Sequence, residues 1–280
     1  MATSIPSRAL LKDLQQLLRT RSVELRLIQQ QWTRVQRKLT EEQNKLRIPG
    51  GDPIYERAEL LGPLGADTDE VLHTRALAYL LDPSRPHGFG SALLKRFLLG
   101  LRGLPNVRWS QLEGIIRLIR QTKVDVRVIP ERRHLSGLPR RRRYPRTDLW
   151  IEIHFGDAAR LIVIENKIVA RESDQQLRDY ERIAHAWCNK HACGEPLLVF
   201  LTPGGVVPQS GTRNTWVSVT YARMAGSLRK TCLSHPNAAG FLWGRLYIAS
   251  ILQGILGLRL DRGHAVDLTR LREYLGVANS

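Results

Sequence analysis

Two apolar segments joined by a short turn stand out in the middle of the chain. Residues 146–155 and 160–168 are both rich in Ile, Val, Leu and Trp, and Gly156 and Asp157 lie between them. Apolar runs of this composition around a glycine-containing turn are typical of two antiparallel strands. The pattern therefore predicts a β-hairpin.

Polar side chains fall at one end of this hairpin. Successive side chains of a strand point to opposite faces, so Glu165 and Lys167 are expected on one face and Ile164 and Asn166 on the other. Asp148, in the first strand, comes alongside them if the register allows. The pattern thus predicts two carboxylates and an ammonium at the end of a sheet that is otherwise almost wholly apolar.

Periodic segments elsewhere supply further helices and strands. A helix is expected to open at the acidic residues 67–70 and to bury a leucine-rich face. The helix expected at residues 173–187 has Ser173 or Asp174 as its N-cap. Further helices are predicted at residues 91–101, 241–258 and 268–275, and strands at 123–129, 195–202 and 215–220.

The N-terminal segment carries a heptad pattern. Residues 7–48 contain neither Gly nor Pro, and apolar residues recur at the core positions of a coiled coil. These positions are Leu11, Leu14, Leu18, Leu25, Ile28, Trp32, Val35, Leu39 and Leu46. The helix could form a homo-oligomer or bind a partner, or it could fold back on the rest of the chain. We expect a coiled-coil-like extension at residues 1–48, a linker at 49–66 and a domain at 67–280.

The net charge of the chain indicates the kind of partner that it binds. The 280 residues carry a formal net charge of +17, which favours a polyanion, because phosphate neutralisation supplies most non-specific affinity for nucleic acid. Residues 131–146 contain seven arginines, and Arg140, Arg141, Arg142, Arg143 and Arg146 are predicted to contact phosphates. The alternative is a solvated loop of like charge.

Composition excludes several other classes. The chain is 42% hydrophobic, which is globular, and it has neither an apolar run of membrane-spanning length nor a secretory signal pattern. A soluble, cytoplasmic protein without membrane contact is expected. Cys188, Cys193 and Cys232 are too few for a disulfide framework, and no Cys and His spacing indicates a zinc site.

The carboxylates at the end of the hairpin suggest a metal site. Two carboxylates beside a lysine on an apolar strand are costly to desolvate unless a cation compensates them. Mg²⁺, for which Mn²⁺ can substitute, suits one or two carboxylates completed by water and phosphate oxygens. Asp148 and Glu165 would hold the metal, and Lys167 would orient water or stabilise transition-state charge. The alternative is a surface hairpin with an ordinary Glu–Lys pair.

Ordered motifs resemble a known family. Asp148, then Glu165-Asn166-Lys167, then DQQLRDY at residues 174–180 are similar to the PD-(D/E)XK nuclease superfamily, in the branch with D, ENK and QLxxY motifs. The upstream segment EVLHTRALAYLLDPSRPHG, residues 70–88, resembles a second family motif. One departure is Pro145, which lies three residues before the aspartate instead of adjacent to it.

The resemblance implies further site residues. It implies that the helix opening at Glu70 contributes a carboxylate, as an additional metal or water ligand, whereas helix-dipole complementation is the alternative. It also implies that Gln176 faces the site from the start of its helix. His73 lies one turn from Glu70 and is a candidate for positioning substrate, although a structural role is favoured for both His73 and His87.

The resemblance also implies a fold and a function. The expected fold is an α/β, restriction-endonuclease-like mixed sheet flanked by helices. The expected function is a Mg²⁺-dependent endonuclease that hydrolyses nucleic acid, with DNA favoured over RNA, and an effector of bacterial anti-phage defence. The alternatives are a catalytically inactive nucleic-acid-binding module and a coiled-coil scaffold subunit of a larger complex.

Overall fold

The computed structural model describes most of the chain in two separate units. The described residues are 51–134, 145–169, 175–211, 214–258 and 267–276, with scattered positions between 16 and 37. The first unit is Met1–Asp52 and the second is Pro53–Ser280. The division falls inside the segment 49–66, which we expected to be a linker.

In the first unit, the described positions between 16 and 37 are helical and exposed. Val23 and Leu27 are each 51% exposed. The heptad core positions, from Leu11 to Leu46, lie outside the described residues. Oligomerisation through this helix therefore stays a prediction.

The second unit contains a sheet and seven described α-helices. In chain order the elements are α1 (Glu70–Leu81), α2 (Ala92–Gly100), α3 (Trp109–Ile119), β1 (Asp125–Arg133), β2 (Arg146–Phe155), β3 (Ala158–Asn166), α4 (Gln176–Lys190), β4 (Leu197–Thr202), β5 (Trp216–Thr220), α5 (Tyr221–Ser234), α6 (Phe241–Ser250) and α7 (Leu268–Leu275). A π-helical turn, Ile251–Ile255, follows α6, and short 3-10 turns lie at Pro53–Tyr55 and Gly62–Leu64.

The described sheet is mixed, with five strands in the order β1-β2-β3-β4-β5. The first three strands pair antiparallel, β4 pairs parallel with β3, and β5 pairs parallel with β4. The predicted hairpin is present as β2 and β3, joined through Gly156, whose φ of 55° suits the tight turn. The expected α/β fold, a mixed sheet flanked by helices, is confirmed.

Helix α4 covers one face of the sheet. Its residues Leu177, Tyr180 and Ala184 are buried. They belong to one apolar cluster with strand residues that include Trp150, Ala159, Leu161, Val163, Leu198, Phe200 and Trp216. This packing fixes which face of the hairpin lies against α4, because a register slip of one residue would turn the strand residues of the cluster to the opposite face.

The other face is covered by helices from both ends of the unit. α1 contacts β1 and β2, and α5 begins directly after β5. α2, α6 and α7 pack around α5. The helices α5 and α7 approach so closely that a Cβ added at Gly226 would lie 2.5 Å from the carbonyl oxygen of Tyr274.

Several boundaries differ from the sequence prediction. Helix α4 begins at Gln176, and its N-cap residue is Gln175, whose side chain makes no capping hydrogen bond. Ser173 and Asp174, the predicted caps, lie outside the described residues. Helix α3 was not predicted, although Leu112, Ile115, Ile116 and Ile119 give it a buried stripe at helical spacing.

The first residues of the second unit are anchored on its C-terminal helices. The backbone N–H groups of Leu60 and Leu61 donate to Ser250 Oγ at 2.8 and 3.0 Å. Arg245 of α6 forms an ion pair with Glu56 at 2.9 Å. Among the described residues, no helix is long and apolar enough to cross a membrane.

Candidate active site

The register of the hairpin brings Asp148 beside Glu165. Leu149 pairs with Ile164, so the preceding residue of β2 faces the following residue of β3 on the same side of the sheet. The backbone N–H of Asn166 donates to Asp148 Oδ2 at 2.8 Å. Asp148 is therefore held against the end of β3 by the pairing that buries the hairpin.

Lys167 follows β3 directly and turns its ammonium towards the carboxylates. Its backbone N–H donates to the carbonyl oxygen of Leu201 at 2.9 Å, which continues the pairing of β3 with β4. Its Nζ lies 3.0 Å from Glu165 Oε1 and 3.4 Å from Glu70 Oε2. The lysine side chain is only 14% exposed, so its ammonium is fixed by carboxylates rather than solvated.

Glu70 reaches this site from the first turn of α1. The helix begins there because Asp69 caps it by accepting hydrogen bonds from the N–H groups of Val71 and Leu72. Glu70 Oε1 accepts hydrogen bonds from the N–H groups of Ile168 at 2.8 Å and Val169 at 3.2 Å. The carboxylate thus holds the backbone that follows Lys167.

Gln176 approaches the same carboxylate from α4. Its Nε2 lies 2.6 Å from Glu165 Oε1 and 2.9 Å from Tyr180 Oη. Tyr180 Oη in turn donates to the carbonyl oxygen of Arg146, at the start of β2. The first turn of α4 is therefore tied both to the carboxylate and to the strand that carries Asp148.

Asn166 anchors the site from the opposite face of β3. Its buried amide donates to Glu70 O and Thr74 Oγ1, both at 3.1 Å. Its side-chain Oδ1 accepts a hydrogen bond from Tyr221 Oη. Strand alternation predicted this face for Asn166, but no role was predicted for its side chain. The available signal was a polar residue whose neighbours on the same face of the predicted strand, Ile164 and Ile168, are apolar.

Burial makes the two central carboxyls unusual. Desolvation and then the charge of Asp148 raise the pKa of Glu165 well above its ordinary value. Desolvation also raises the pKa of Asp148, and the ammonium of Lys167 opposes this shift. Burial alone would lower the pKa of Lys167, but the charges of Glu165 and Asp148 outweigh it and raise that pKa.

One oxygen of this pair is left without a partner. Glu165 is fully buried, and its Oε2 has no hydrogen-bond partner among the described residues. A buried carboxylate oxygen without a donor is costly, and a proton shared with Asp148 or a bound cation would compensate it. The site is therefore built for a positive charge beyond that of Lys167.

A family model for the PD-(D/E)XK nuclease superfamily matches residues 59–238. The chain belongs to this superfamily. The match spans the sheet and every site residue described above. No curated protein and no solved structure matched the chain.

The donor set of this PD-(D/E)XK protein fits a divalent cation held by two carboxylates. Asp148 and Glu165 offer hard oxygen ligands, including the partnerless Oε2. The described residues contain no group of three or more His, Cys, Asp or Glu side chains that could hold a metal. Glu70 contacts Lys167 and backbone N–H groups, and its role as an additional metal or water ligand stays a prediction.

Two histidines of the PD-(D/E)XK domain have structural partners. The ring nitrogens of His73 lie 2.9 Å from the carbonyl oxygen of Asp67 and 3.2 Å from Tyr247 Oη, and burial lowers the pKa of this imidazole. His87 Nδ1 accepts from the N–H of Phe89, so its Nε2 donates to a carbonyl oxygen 2.9 Å away. Both contact sets favour the structural interpretation.

The predicted phosphate-binding arginines are described only in part. Arg146 is 47% exposed, and its Nη1 lies 2.9 Å from Glu131 Oε1. Arg140, Arg141, Arg142 and Arg143 lie outside the described residues. The N–H of His134 donates to the carbonyl oxygen of Pro145 at 3.0 Å, so the two described residues that flank positions 135–144 lie together next to Arg146.

Proposed function

We propose that this chain is a Mg²⁺-dependent endonuclease that hydrolyses DNA by attack of water on phosphorus. The observation that carries the proposal is the fully buried Glu165, which has a partnerless oxygen and lies beside Asp148 and Lys167. Such an arrangement destabilises a protein unless a proton or a bound cation compensates the buried charge. A buried charge of this kind lowers the stability of the metal-free protein, and such perturbed groups are typical of a functional site.

The metal role follows from the donor set. Asp148 and Glu165 would hold Mg²⁺, or Mn²⁺ in its place, and water and phosphate oxygens would complete the coordination. The cation would supply Lewis-acid stabilisation of the charge on the reacting phosphate. Glu70 would position Lys167, because its carboxylate contacts the ammonium of Lys167 and the backbone N–H that follows.

The remaining side chains would act on water and on the phosphate. The ammonium of Lys167 is fixed 3.0 Å from Glu165, where it can orient the attacking water or stabilise charge that develops on a phosphate oxygen. The amide of Gln176 is hydrogen-bonded to Glu165 and Tyr180. It keeps this carboxylate in one orientation without adding charge to the site.

The substrate and biological role are part of the same proposal. The net charge of +17 supports a nucleic-acid backbone as the partner. We assign DNA as the substrate, and degradation of invading DNA in antiviral defence as the role. Oligomerisation through residues 7–48 is proposed on the heptad pattern, and the helical positions described between 16 and 37 are consistent with it.

The test is cleavage of a plasmid, and of an RNA transcript of the same sequence, by the full-length chain. We expect the plasmid to be cut with Mg²⁺ or Mn²⁺ and to stay intact with EDTA or with Glu165→Gln. Glu152→Gln is the matched control, because Glu152 is a buried carboxylate of β2 that pairs with Arg132 instead of with the site. It should cut like the unchanged protein.

Three results would contradict all or part of the proposal. A band shift without cutting at any metal concentration would support a nucleic-acid-binding module. Equal cutting by Glu165→Gln and by Glu152→Gln would place the activity elsewhere. Cutting of the transcript but not of the plasmid would keep the nuclease and replace its substrate.

A further inference from the structure

Two arginines from distant parts of the chain meet on one glutamate near the proposed site. Nε and Nη2 of Arg75, in α1, lie 3.1 and 2.8 Å from Glu131 Oε2. Nη1 of Arg146, in β2, lies 2.9 Å from Glu131 Oε1. Each carboxylate oxygen therefore orients one guanidinium group, and the three side chains carry a net charge of one positive unit.

The position of this cluster relates it to the carboxylate pair. The neighbours of Glu131 in β1 pair with the neighbours of Asp148 in β2, so Glu131 is level with Asp148 across the ladder. Arg146 precedes Asp148 by two residues and projects from the same face of β2. The hydrogen bond between His134 and Pro145 places the ends of the arginine-rich segment at this same end of the sheet.

The arginines remain accessible although they are oriented. The side chain of Arg75 is 60% exposed and that of Arg146 is 47% exposed, whereas that of Glu131 is 17% exposed. Each guanidinium group carries five N–H donors in a fixed fork, so donors remain for a ligand in solvent. The fork of N–H donors on a guanidinium group matches the spacing of two phosphate oxygens.

The backbone of Glu131 adds an independent observation. Its φ is 51°, in the left-handed region that a non-glycine residue seldom adopts. Backbone strain of this kind persists where the surroundings over-determine it, and it clusters at ligand-binding positions. Here it lies at the residue that orients both arginines.

We propose that Arg75 and Arg146 form a phosphate clamp, which binds a backbone phosphate of the nucleic acid next to the scissile one, and that Glu131 is its positioning residue. The inference rests on the proposed function and adds Arg75 and Glu131 to it. Glu131 and Arg146 lie at the same end of the β1–β2 ladder as Asp148, so the clamp would hold the nucleic-acid backbone next to the carboxylate pair. An ion pair that only ties α1 to β1 is the competing explanation.

The first test measures binding without cleavage. A fluorescein-labelled DNA duplex, and the RNA duplex of the same sequence, are titrated with full-length protein in EDTA over a series of salt concentrations. Each phosphate contact contributes about one unit to the slope of log K against log salt. We expect Arg75→Ala to weaken binding about tenfold and to reduce the slope by about one unit.

The matched control is an arginine of β1, the strand that also carries Glu131. Arg127 of β1 is 64% exposed and pairs with Asp125 at 2.8 Å, and Asp125 pairs with His154 at the far end of the ladder. Arg127→Ala removes the same charge and an equivalent ion pair, and we expect it to leave the slope within error. Thermal melting of both variants establishes that they are folded.

The second test separates positioning from a structural tie. Glu131→Gln removes the carboxylate charge that competes with phosphate for both arginines. We expect tighter binding with a steeper salt slope, but a several-fold lower kcat because the arginines lose their fixed orientation. A residue that only ties α1 to β1 would weaken binding and turnover together.

The outcomes are distinguishable. If the unchanged protein binds neither duplex, the proposed function fails and the clamp fails with it. If it binds but Arg75→Ala and Arg127→Ala have the same slope, the clamp alone is refuted and the nuclease proposal stands. If Arg75→Ala lowers the melting temperature without changing the slope, the cluster is a structural tie.

Discussion

Replacing Glu165 by glutamine should stabilise the protein in the absence of metal. Glu165 is fully buried beside Asp148, and its Oε2 has no partner among the described residues. Glutamine keeps the shape of the side chain and can still contact Lys167 and Gln176. It removes one negative charge from a site that contains three carboxylates and one ammonium.

The direction of this change in stability follows from the pKa of the Glu165 carboxyl. Because the pKa of Glu165 is raised in the folded protein, the native state binds more protons than the unfolded state above the ordinary pKa. Stability is therefore lost as the pH rises from the ordinary pKa towards the folded one, by about 1.4 kcal/mol for each unit of difference. At neutral pH the metal-free wild type is in the destabilised condition.

The size of the expected stabilisation follows from the cost of burying a polar group without a partner. Leaving a buried polar group unsatisfied costs about 1–3 kcal/mol. For a body of this length each kcal/mol shifts the melting temperature by about 2–4 °C. We expect Glu165→Gln to raise the melting temperature at neutral pH by at least about 2 °C, and the difference should disappear at a pH near the ordinary carboxyl pKa.

Metal should reverse the order of the two proteins. Wild type should gain about 2.7 kcal/mol at a Mg²⁺ concentration one hundred times its Kd, because the ligand binds only the folded state. Glu165→Gln should gain much less. Thermal melts with Mg²⁺ and with EDTA, at neutral and acidic pH, measure both effects.

A matched variant has the opposite expected sign. Burial of Glu152 acts to raise its pKa, but hydrogen bonds from Arg132 and Trp150 outweigh it and lower the pKa. Glu152→Gln should therefore destabilise the protein at neutral pH and leave the Mg²⁺ shift intact. A lower melting temperature of Glu165→Gln in EDTA would contradict the destabilising effect of the Glu165 charge. Full stabilisation of this variant by Mg²⁺ would contradict the role of Glu165 as a metal ligand.

Three further variants test other contacts. Lys167→Met should reduce cleavage by about 10²–10³-fold, because an electrostatic donor is lost; calorimetric Mn²⁺ binding should persist, and its loss would reassign the lysine to the metal site. Asn166→Leu should lower the free energy of unfolding by about 1–3 kcal/mol, measured in urea, because the hydroxyl of Tyr221 and the backbone of Glu70 lose their partner. Gly226→Ala should cost about 1–3 kcal/mol in the same assay, since its Cβ would overlap the carbonyl oxygen of Tyr274; an unchanged midpoint would mean that α5 and α7 separate freely.

Local patterns in the sequence were sufficient where a single element carries the information. Alternation along residues 160–168 predicted that Glu165 and Lys167 share a face, and their side chains lie 3.0 Å apart. The apolar composition of the hairpin predicted β2 and β3, because only one register buries Trp150 and Val163 against α4. The start of α4 was misplaced, since Gln175 precedes it without a side-chain cap.

Contacts between distant segments could not be obtained in this way. That Glu70 holds the backbone of Ile168, that Asn166 meets Tyr221, and that Arg75 meets Glu131 each depend on how α1 and α5 lie on the sheet. No periodicity encodes such a contact, because the docking of a helix is decided by the summed packing of its whole apolar face. Sequence patterns alone were enough to predict the five described strands, most of the described helices and the face shared by Glu165 and Lys167. The tertiary structure decided which side chains surround that pair, because burial and hydrogen-bond partners arise only after the layers pack.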